Sequence, residues 1–340
     1  MKALLLKAPY ELEIIEREKP VPQTGEALVR VLSAAICGSE IHGYRGKHFG
    51  RKPPAIMGHE VCGIVEALGE GAKGPAIGTR VVAIPQRTCR TCYWCRAGMP
   101  NLCSQRLMLG FTDWPGAYED YFVIPADLLL PIPDNLTPQQ GTLIEPFAVS
   151  VHAIRRLGVK LGDSVVVIGS GAIGLLAILA AKAAGASKII ATDISEYNLK
   201  LAKKMGATHI HNSRSGPVTD FARSLTKGLG PDHAVLAVAA PGLLDETIAT
   251  VRNRGGIAVV ATYTSPLELF IQDTQFKEQA ILGSVTYDSE DFRIAIELAS
   301  SHQVRMASLV THEFALEKAR EAFELADKRL EDQVRVVFNL

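Results

Sequence analysis

The sequence predicts an α/β chain of two domains, a β-rich one first and a doubly wound parallel sheet second. Three observations carry this. A glycine-rich turn sits between a β-branched run and an apolar helical stretch in residues 165–184, and strand-like and helix-like segments alternate from there to about residue 286. Upstream, the first 147 residues hold short apolar runs broken by many turns, and four cysteines crowd into one short part of them. At 340 residues the chain has the length of two ordinary domains.

In the β-rich part the expected strands are 28–31, 63–67, 80–84 and 117–124. Between the last two lie Cys89, Cys92, Cys95 and Cys103, spaced C-x2-C-x2-C-x7-C. Cys-x-x-Cys turns place sulfurs on one side of a tight loop, and a tetrahedral zinc ion takes four thiolates at about 2.3 Å. The quartet therefore reads as a closed structural zinc site, which holds a lobe in shape and does no chemistry itself. A disulfide cluster fits less well. After Lys2 only residues 3–6 are continuously apolar, short of an export segment, and a chain this long builds a core without staples. A thioredoxin-like pair would use two of the four cysteines and leave the others idle.

The parallel sheet is expected to start at Val165-Val166-Val167-Ile168, a buried strand. It enters Gly169-Ser170-Gly171-Ala172-Ile173-Gly174, which fits G-x-G-x-x-G. Gly169 allows the tight turn, Gly171 lets backbone approach a pyrophosphate, and Gly174 permits close helix–strand packing. Together with Ala172 and Ile173 they form the expected phosphate cradle, at the positive end of the following helix. A second strand, 188–192, ends at Asp193, nineteen residues past Gly174, where a carboxylate accepts hydrogen bonds from a ribose diol. The rival reading of Asp193 is a cap on the next helix. The apolar stretch 165–181 carries three glycines and falls below the ~20 residues of a membrane span. Further strands are expected at 234–238, 257–262 and 280–287.

A third signal is split. Cys37-Gly38-Ser39-Glu40-Ile41-His42 reads C-G-S-x-x-H, and Gly58-His59-Glu60, continued through Gly63 and Gly69, reads G-H-E-x-x-G-x5-G. Glu145, in Ile144-Glu145-Pro146-Phe147, adds a carboxylate in an apolar setting. Thiolate, imidazole and carboxylate are the donors zinc accepts.

With these motifs in this order, the chain resembles the zinc-dependent medium-chain dehydrogenases over essentially all 340 residues, and most closely their polyol, secondary-alcohol and threonine dehydrogenase branch. The resemblance implies a GroES-like, partly open barrel over residues 1–147, completed by 287–340, and a Rossmann NAD-binding domain over 148–286. In the tail, Leu316, Ala319, Phe323 and Ala326 make one apolar helix face, and 334–338 a closing strand. The resemblance also implies that Cys37, His59, Glu60 and Glu145 occupy catalytic zinc positions. Which of Glu60 and Glu145 touches the metal directly stays open. Ser39 and His42 match proton-relay positions, and a homo-oligomer, dimer or tetramer, is implied. Three positions depart from the pattern: Glu40 stands where an Asp is usual, Gly78-Thr79-Arg80-Val81 replaces the common G-D-R-V, and Asn198 stands where related enzymes often place an Arg against the adenine.

The expected activity is NAD-linked oxidation of a secondary alcohol of a polyol or sugar-derived substrate to a ketone, with two zinc ions per chain. A threonine or butanediol substrate is the alternative. A non-catalytic nucleotide-binding protein on the same scaffold is a remote one, against which the intact set of Cys37, Ser39 and His59 speaks. NAD is expected over NADP because Asp193 repels a 2′-phosphate and Ile194 and Ser195 supply no Arg. Thirty-six basic and 36 acidic residues leave no net field for nucleic acid or an anionic membrane. Five of six cysteines are assigned to zinc, with Cys62 a small packed residue, which points to a reducing, cytoplasmic compartment. Between the two zinc motifs, the basic loop Arg45-Gly46-Lys47-His48-Phe49-Gly50-Arg51-Lys52 reads first as a solvated surface loop, and alternatively offers cations for a carboxylate or phosphate at the far end of a sugar-derived alcohol. Phe111 and Trp114 offer instead an apolar wall for a neutral polyol.

Overall fold

The strand Glu26–Ala35 is almost wholly buried because it pairs antiparallel with three others: Glu60–Leu68, Tyr121–Pro125 and Arg335–Asn339. These features belong to the computed structural model of the chain, which describes residues 1–301, 306–328 and 332–340. A near-continuous apolar run such as Ala27-Leu28-Val29 suits a strand covered on both faces. The sheet around it runs Leu129–Pro131, Arg80–Ala83, Glu60–Leu68, Glu26–Ala35, Arg335–Asn339, Val310–Ala315. The C-terminal strand thus registers Val337 against Ala35 and returns the tail to the N-terminal part. Tyr118, Phe122, Phe323 and Phe338, each fully buried, fill the core beneath, with Tyr118 and Phe338 edge to face at 5.2 Å.

The strand expected at 117–124 is shorter than its apolar run. Only Tyr121–Pro125 is strand. The preceding residues spend their amides elsewhere: Gly116 N donates to Ile56 O, Ala117 N to Gly58 O and Tyr118 N to Met57 O. That clamp sets the turn from which His59 and Glu60 emerge.

Next to it, Glu119 is buried against Arg17, Oε2 accepting from Nη1 at 2.9 Å. Burial outweighs Arg17 and pushes the Glu119 carboxyl from the usual 4.5 up to about 7. The folded chain then keeps a proton that the unfolded chain releases near 4.5, so stability falls as pH rises between 4.5 and 7 and is flat above. Equilibrium unfolding across that window should show a loss of up to roughly 3 kcal/mol that is absent in Glu119→Gln. An unchanged pH profile in that variant would assign the dependence elsewhere.

A second sheet has six parallel strands in the order His209–Asn212, Lys188–Asp193, Ser164–Ile168, His233–Leu236, Gly256–Val259, Ala280–Gly283. The order reverses beside Ser164–Ile168, which is where an open α/β sheet forms its ligand crevice. The strands expected at 234–238, 257–262 and 280–287 end early, at Leu236, Val259 and Gly283, and their carboxyl ends open into loops.

Two units result: Met1–Glu145 with Ala299–Leu340, and Pro146–Leu298. The expected return at 286/287 lies twelve residues before the observed one at 298/299. The reason is the helix Ser289–Ser300, whose Asp291 is tied to His152 (2.7 Å) and Arg155 (2.5 Å) of the helix Ile144–Leu157.

Candidate metal centres and dinucleotide site

Cys37 is the N-cap of the short helix Gly38–Tyr44, and His59 and Glu60 lie at the start of the strand Glu60–Leu68. Gly58 makes the approach possible. Its φ is +101°, and a Cβ there would lie 2.6 Å from the Tyr118 ring. Although Cys37 lies 22 positions from His59 and 23 from Glu60, one donor atom of each of Cys37, His59 and Glu60 lies within 4.8 Å of the others. Burial pushes the Cys37 thiol up, but the hydrogen bond and charge of His59 bring it down to about 5. Glu60 is fully buried. Its Oε1 accepts from Arg335 Nη2 at 2.5 Å, while Oε2 has no hydrogen-bond partner. A buried carboxylate oxygen left unpaired beside a thiolate and an imidazole is what a divalent cation would satisfy. Burial, more than the neighbouring Cys37 and Glu145 charges, holds the Glu60 carboxyl well above its ordinary range.

Glu145, in the first turn of Ile144–Leu157, is not in the close trio, yet its charge acts on both Glu60 and Arg335. Ser39 and His42 sit three residues apart on Gly38–Tyr44, so they neighbour each other along the helix. Ser39 Oγ lies 3.4 Å from Glu40 Oε2.

Glu40, Arg51 and Arg335 are site residues that the motifs did not single out. Glu40 is fully buried; its Oε2 accepts from the Cys37 amide at 3.1 Å, and its Oε1 from His59 Nδ1 at 2.5 Å. Burial pushes this carboxyl up, but Arg51 and then His59 bring it down to about 2. A carboxylate at the third position of a helix that starts at Cys37 is a capping signal legible in sequence. Arg335, 275 residues from Glu60, gave none.

The cysteine quartet is assembled as well. Cys92 caps the four-residue helix Tyr93–Arg96, and the Cys92 and Cys95 amides point at the sulfurs of Cys89 (3.4 Å) and Cys92 (3.5 Å). Cys89 Sγ is 3.9 Å from Cys95 Sγ and 3.6 Å from Cys103 Sγ. Four thiolates at zinc–sulfur distances of 2.3 Å lie about 3.8 Å apart in a tetrahedron, so the spacing fits a metal and excludes disulfides.

In the other unit, the helix Ala172–Ala183 follows the strand Ser164–Ile168 through the glycine turn. A Cβ on Gly174 would lie 1.8 Å from Gly169 O, so only glycine lets helix and strand close. Around Gly171 a Cβ would meet nothing within 4 Å, and as N-cap Gly171 has no side chain to take up the helix amides. The cradle is open and lined with donors, which suits a pyrophosphate. Asp193 ends Lys188–Asp193, its Oδ2 accepting from Ser170 N at 2.7 Å and its Oδ1 from Ser195 N at 2.8 Å. The next helix, Glu196–Met205, is capped by Ser195. Each Asp193 oxygen thus keeps a lone pair beside the glycine turn.

Two cations of the basic loop are already paired within the protein. Arg45 Nε sits 2.5 Å from Asp327 Oδ1, and Arg51 is 2% exposed with its guanidinium on Glu40. Lys47 and Lys52 remain as exposed cations. The apolar wall is also rearranged: Trp114 is buried beneath Arg87, whereas Phe111 meets exposed Phe49 at 5.6 Å. His152, Asp288 and Asp291 form a third cluster of potential ligands, but the Arg155 guanidinium occupies the place of a cation.

Residues 23–134 match the family model for the alcohol dehydrogenase GroES-like domain, and residues 172–301 that for zinc-binding dehydrogenase. The chain is 34% identical to a sorbitol dehydrogenase of Bacillus subtilis over 333 residues, covering 96% of this chain and 93% of the relative. It is 33% identical to D-xylulose reductase A of Aspergillus niger, with 93% and 92% covered. Among solved structures it superposes with a TM-score of 0.93 on an Escherichia coli alcohol dehydrogenase, rspB, complexed with NADH, at 30% identity over 100% of this chain and 99% of that one.

Proposed function

The chain belongs to the zinc-dependent medium-chain dehydrogenase family, and we propose that it oxidises a secondary hydroxyl of a neutral polyol to a ketone, with NAD as hydride acceptor and two zinc ions per chain. It is an oxidoreductase of the zinc- and NAD(P)-dependent class. The observation that carries the proposal is the trio of half-buried Cys37 and buried His59 and Glu60, with one Glu60 oxygen unpaired, in a chain that also holds an open glycine cradle.

Zinc, when bound, supplies a Lewis acid that brings a hydroxyl pKa toward neutrality, and NAD, when bound, supplies the hydride acceptor. Cys37, His59 and Glu60 hold the metal, with Glu145 as the reserve carboxylate. Ser39 Oγ accepts the substrate hydroxyl proton as it gives up its own, and His42, three residues on, takes the relayed proton and exchanges it with solvent. The amides at the start of Ala172–Ala183 hold the pyrophosphate, and Asp193 accepts from the ribose diol. Cys89, Cys92, Cys95 and Cys103 hold the second zinc, which keeps its lobe folded. A neutral substrate is favoured because Arg45 and Arg51 are already paired within the protein. Phe49 and Phe111 offer the carbon chain an apolar face. Threonine and butanediol are the competing substrates.

A reducing, cytoplasmic location suits two thiolate-bearing metal sites; no helix among the described residues is long and apolar enough to cross a membrane. A homo-oligomer is supported by the edge strand Ala280–Gly283, near which Phe270, Ile271 and Phe276 are each more than 60% exposed.

The test is NADH formation across sorbitol, xylitol, their phosphates, threonine and 2,3-butanediol, with NAD and with NADP. A neutral polyol with NAD should give the highest kcat/KM. Asp193→Ser should lower kcat/KM with NAD by about 10–100-fold and narrow the margin over NADP, since hydrogen bonds to a charged acceptor are lost. Equal use of NAD and NADP by the wild type would remove Asp193 from the ribose.

A further inference from the structure

We propose that Arg51 is a positioning residue for the Cys37–His59–Glu60 metal site, acting through Glu40. The inference rests on the metal reading above and goes beyond it, because none of the zinc or relay motifs includes Arg51.

Arg51 is 2% exposed, at the end of an otherwise solvent-facing basic loop. A guanidinium is drawn inside only where it is paired, and its partner is Glu40. Arg51 Nε donates to Glu40 Oε1 at 3.0 Å, and Nη2 lies 3.0 Å from the same oxygen. That oxygen also accepts from His59 Nδ1, at 2.5 Å. Arg51 Nη2 also lies 3.0 Å from His59 Nδ1, but a guanidinium cannot accept, so Nδ1–H goes to the Glu40 carboxylate and Nε2 is the ring nitrogen left for a metal.

The Glu40 carboxylate rides on a two-methylene arm with three torsions, and such an arm needs a second holder to keep one oxygen on His59. Arg51 is that holder. Its planar fork grips the carboxylate from one side while the Cys37 amide grips the other oxygen at 3.1 Å. The guanidinium is itself packed: its carbon lies 5.1 Å from the Phe111 ring centroid. Its charge also offsets part of the negative charge that Cys37, Glu40 and Glu60 bring together. A lysine could supply the charge and one donor; a methionine supplies neither.

The experiment measures zinc affinity by competition with a chromophoric chelator, in wild type, Arg51→Met, Arg51→Lys, Glu40→Gln and Glu40→Gln/Arg51→Met. Circular dichroism and retention of the quartet zinc report folding independently. Arg51→Met should weaken the more labile zinc by about 10–100-fold, Arg51→Lys should recover most of the loss, and the quartet zinc should not change. In the Glu40→Gln background, Arg51→Met should add little, since the two act as one unit. The double variant also carries no unpaired buried charge and so tests the coupling in a relaxed core. Wild-type affinity in Arg51→Met, or losses that multiply in the double variant, would overturn the inference. A wild-type chain that binds only the quartet zinc would overturn the metal reading itself.

Discussion

Cys37→Ser is expected to reduce turnover by about 10³-fold or more while the chain folds normally. A hydroxyl is a poor zinc ligand beside a thiolate, so the trio of Cys37, His59 and Glu60 loses its anionic anchor. Lewis-acid assistance is worth several kcal/mol, and each 1.36 kcal/mol is a factor of ten in rate. Folding should not suffer, for a local reason. Cys37 is the N-cap of Gly38–Tyr44 in extended conformation, φ −88° and ψ 159°, where serine caps as well as any residue. The check is kcat at saturating NAD alongside a thermal melt. A variant that keeps a tenth of wild-type turnover would show that Cys37 does not anchor the metal.

Cys92→Ser should do the opposite, costing stability first. Among residues 89–103 only Asn101 and Cys103 are buried, while Tyr93 is 69% and Trp94 41% exposed. A lobe without an apolar core is held by its metal, and the free energy of binding such an ion is folding free energy. Losing one of four ligands should therefore cost several kcal/mol, seen as a lower melting temperature and new protease cleavage within residues 87–106. An unchanged melt and cleavage pattern would leave the quartet without a structural role.

The parts of the fold legible in sequence were those set by short-range chemistry. The glycine turn, its flanking strand and helix, and the cysteine quartet are each contiguous, so spacing alone encodes them. Gly174, for example, must be glycine because of an oxygen five residues away. Cys37, His59 and Glu60, whose donor atoms the fold brings together, also stood out in motifs. What sequence missed was the second layer. Arg335 reaches Glu60 from 275 positions away, through the pairing of the C-terminal strand with Glu26–Ala35, and no local pattern announces that. Arg51 was misread for a related reason: a run of cations looks like a solvated or ligand-facing loop, and only the fold shows one of them turned inward onto Glu40. The start of the strand expected at 117–124 was overrun because Ala117 and Tyr118 give their amides to the turn at residues 56–58, and Glu119 and Asp120 meet Ala3 and Lys2 instead of continuing the ladder.

The most direct measurement combines metal content with turnover: zinc per chain by elemental analysis, and NADH formation from a polyol, on the same samples of wild type and Cys37→Ser. The account predicts two zinc ions and NAD-linked turnover in the wild type, and one zinc ion with almost no turnover in a folded variant. Full turnover in a chain that holds one zinc ion, or two zinc ions retained in Cys37→Ser, would contradict it.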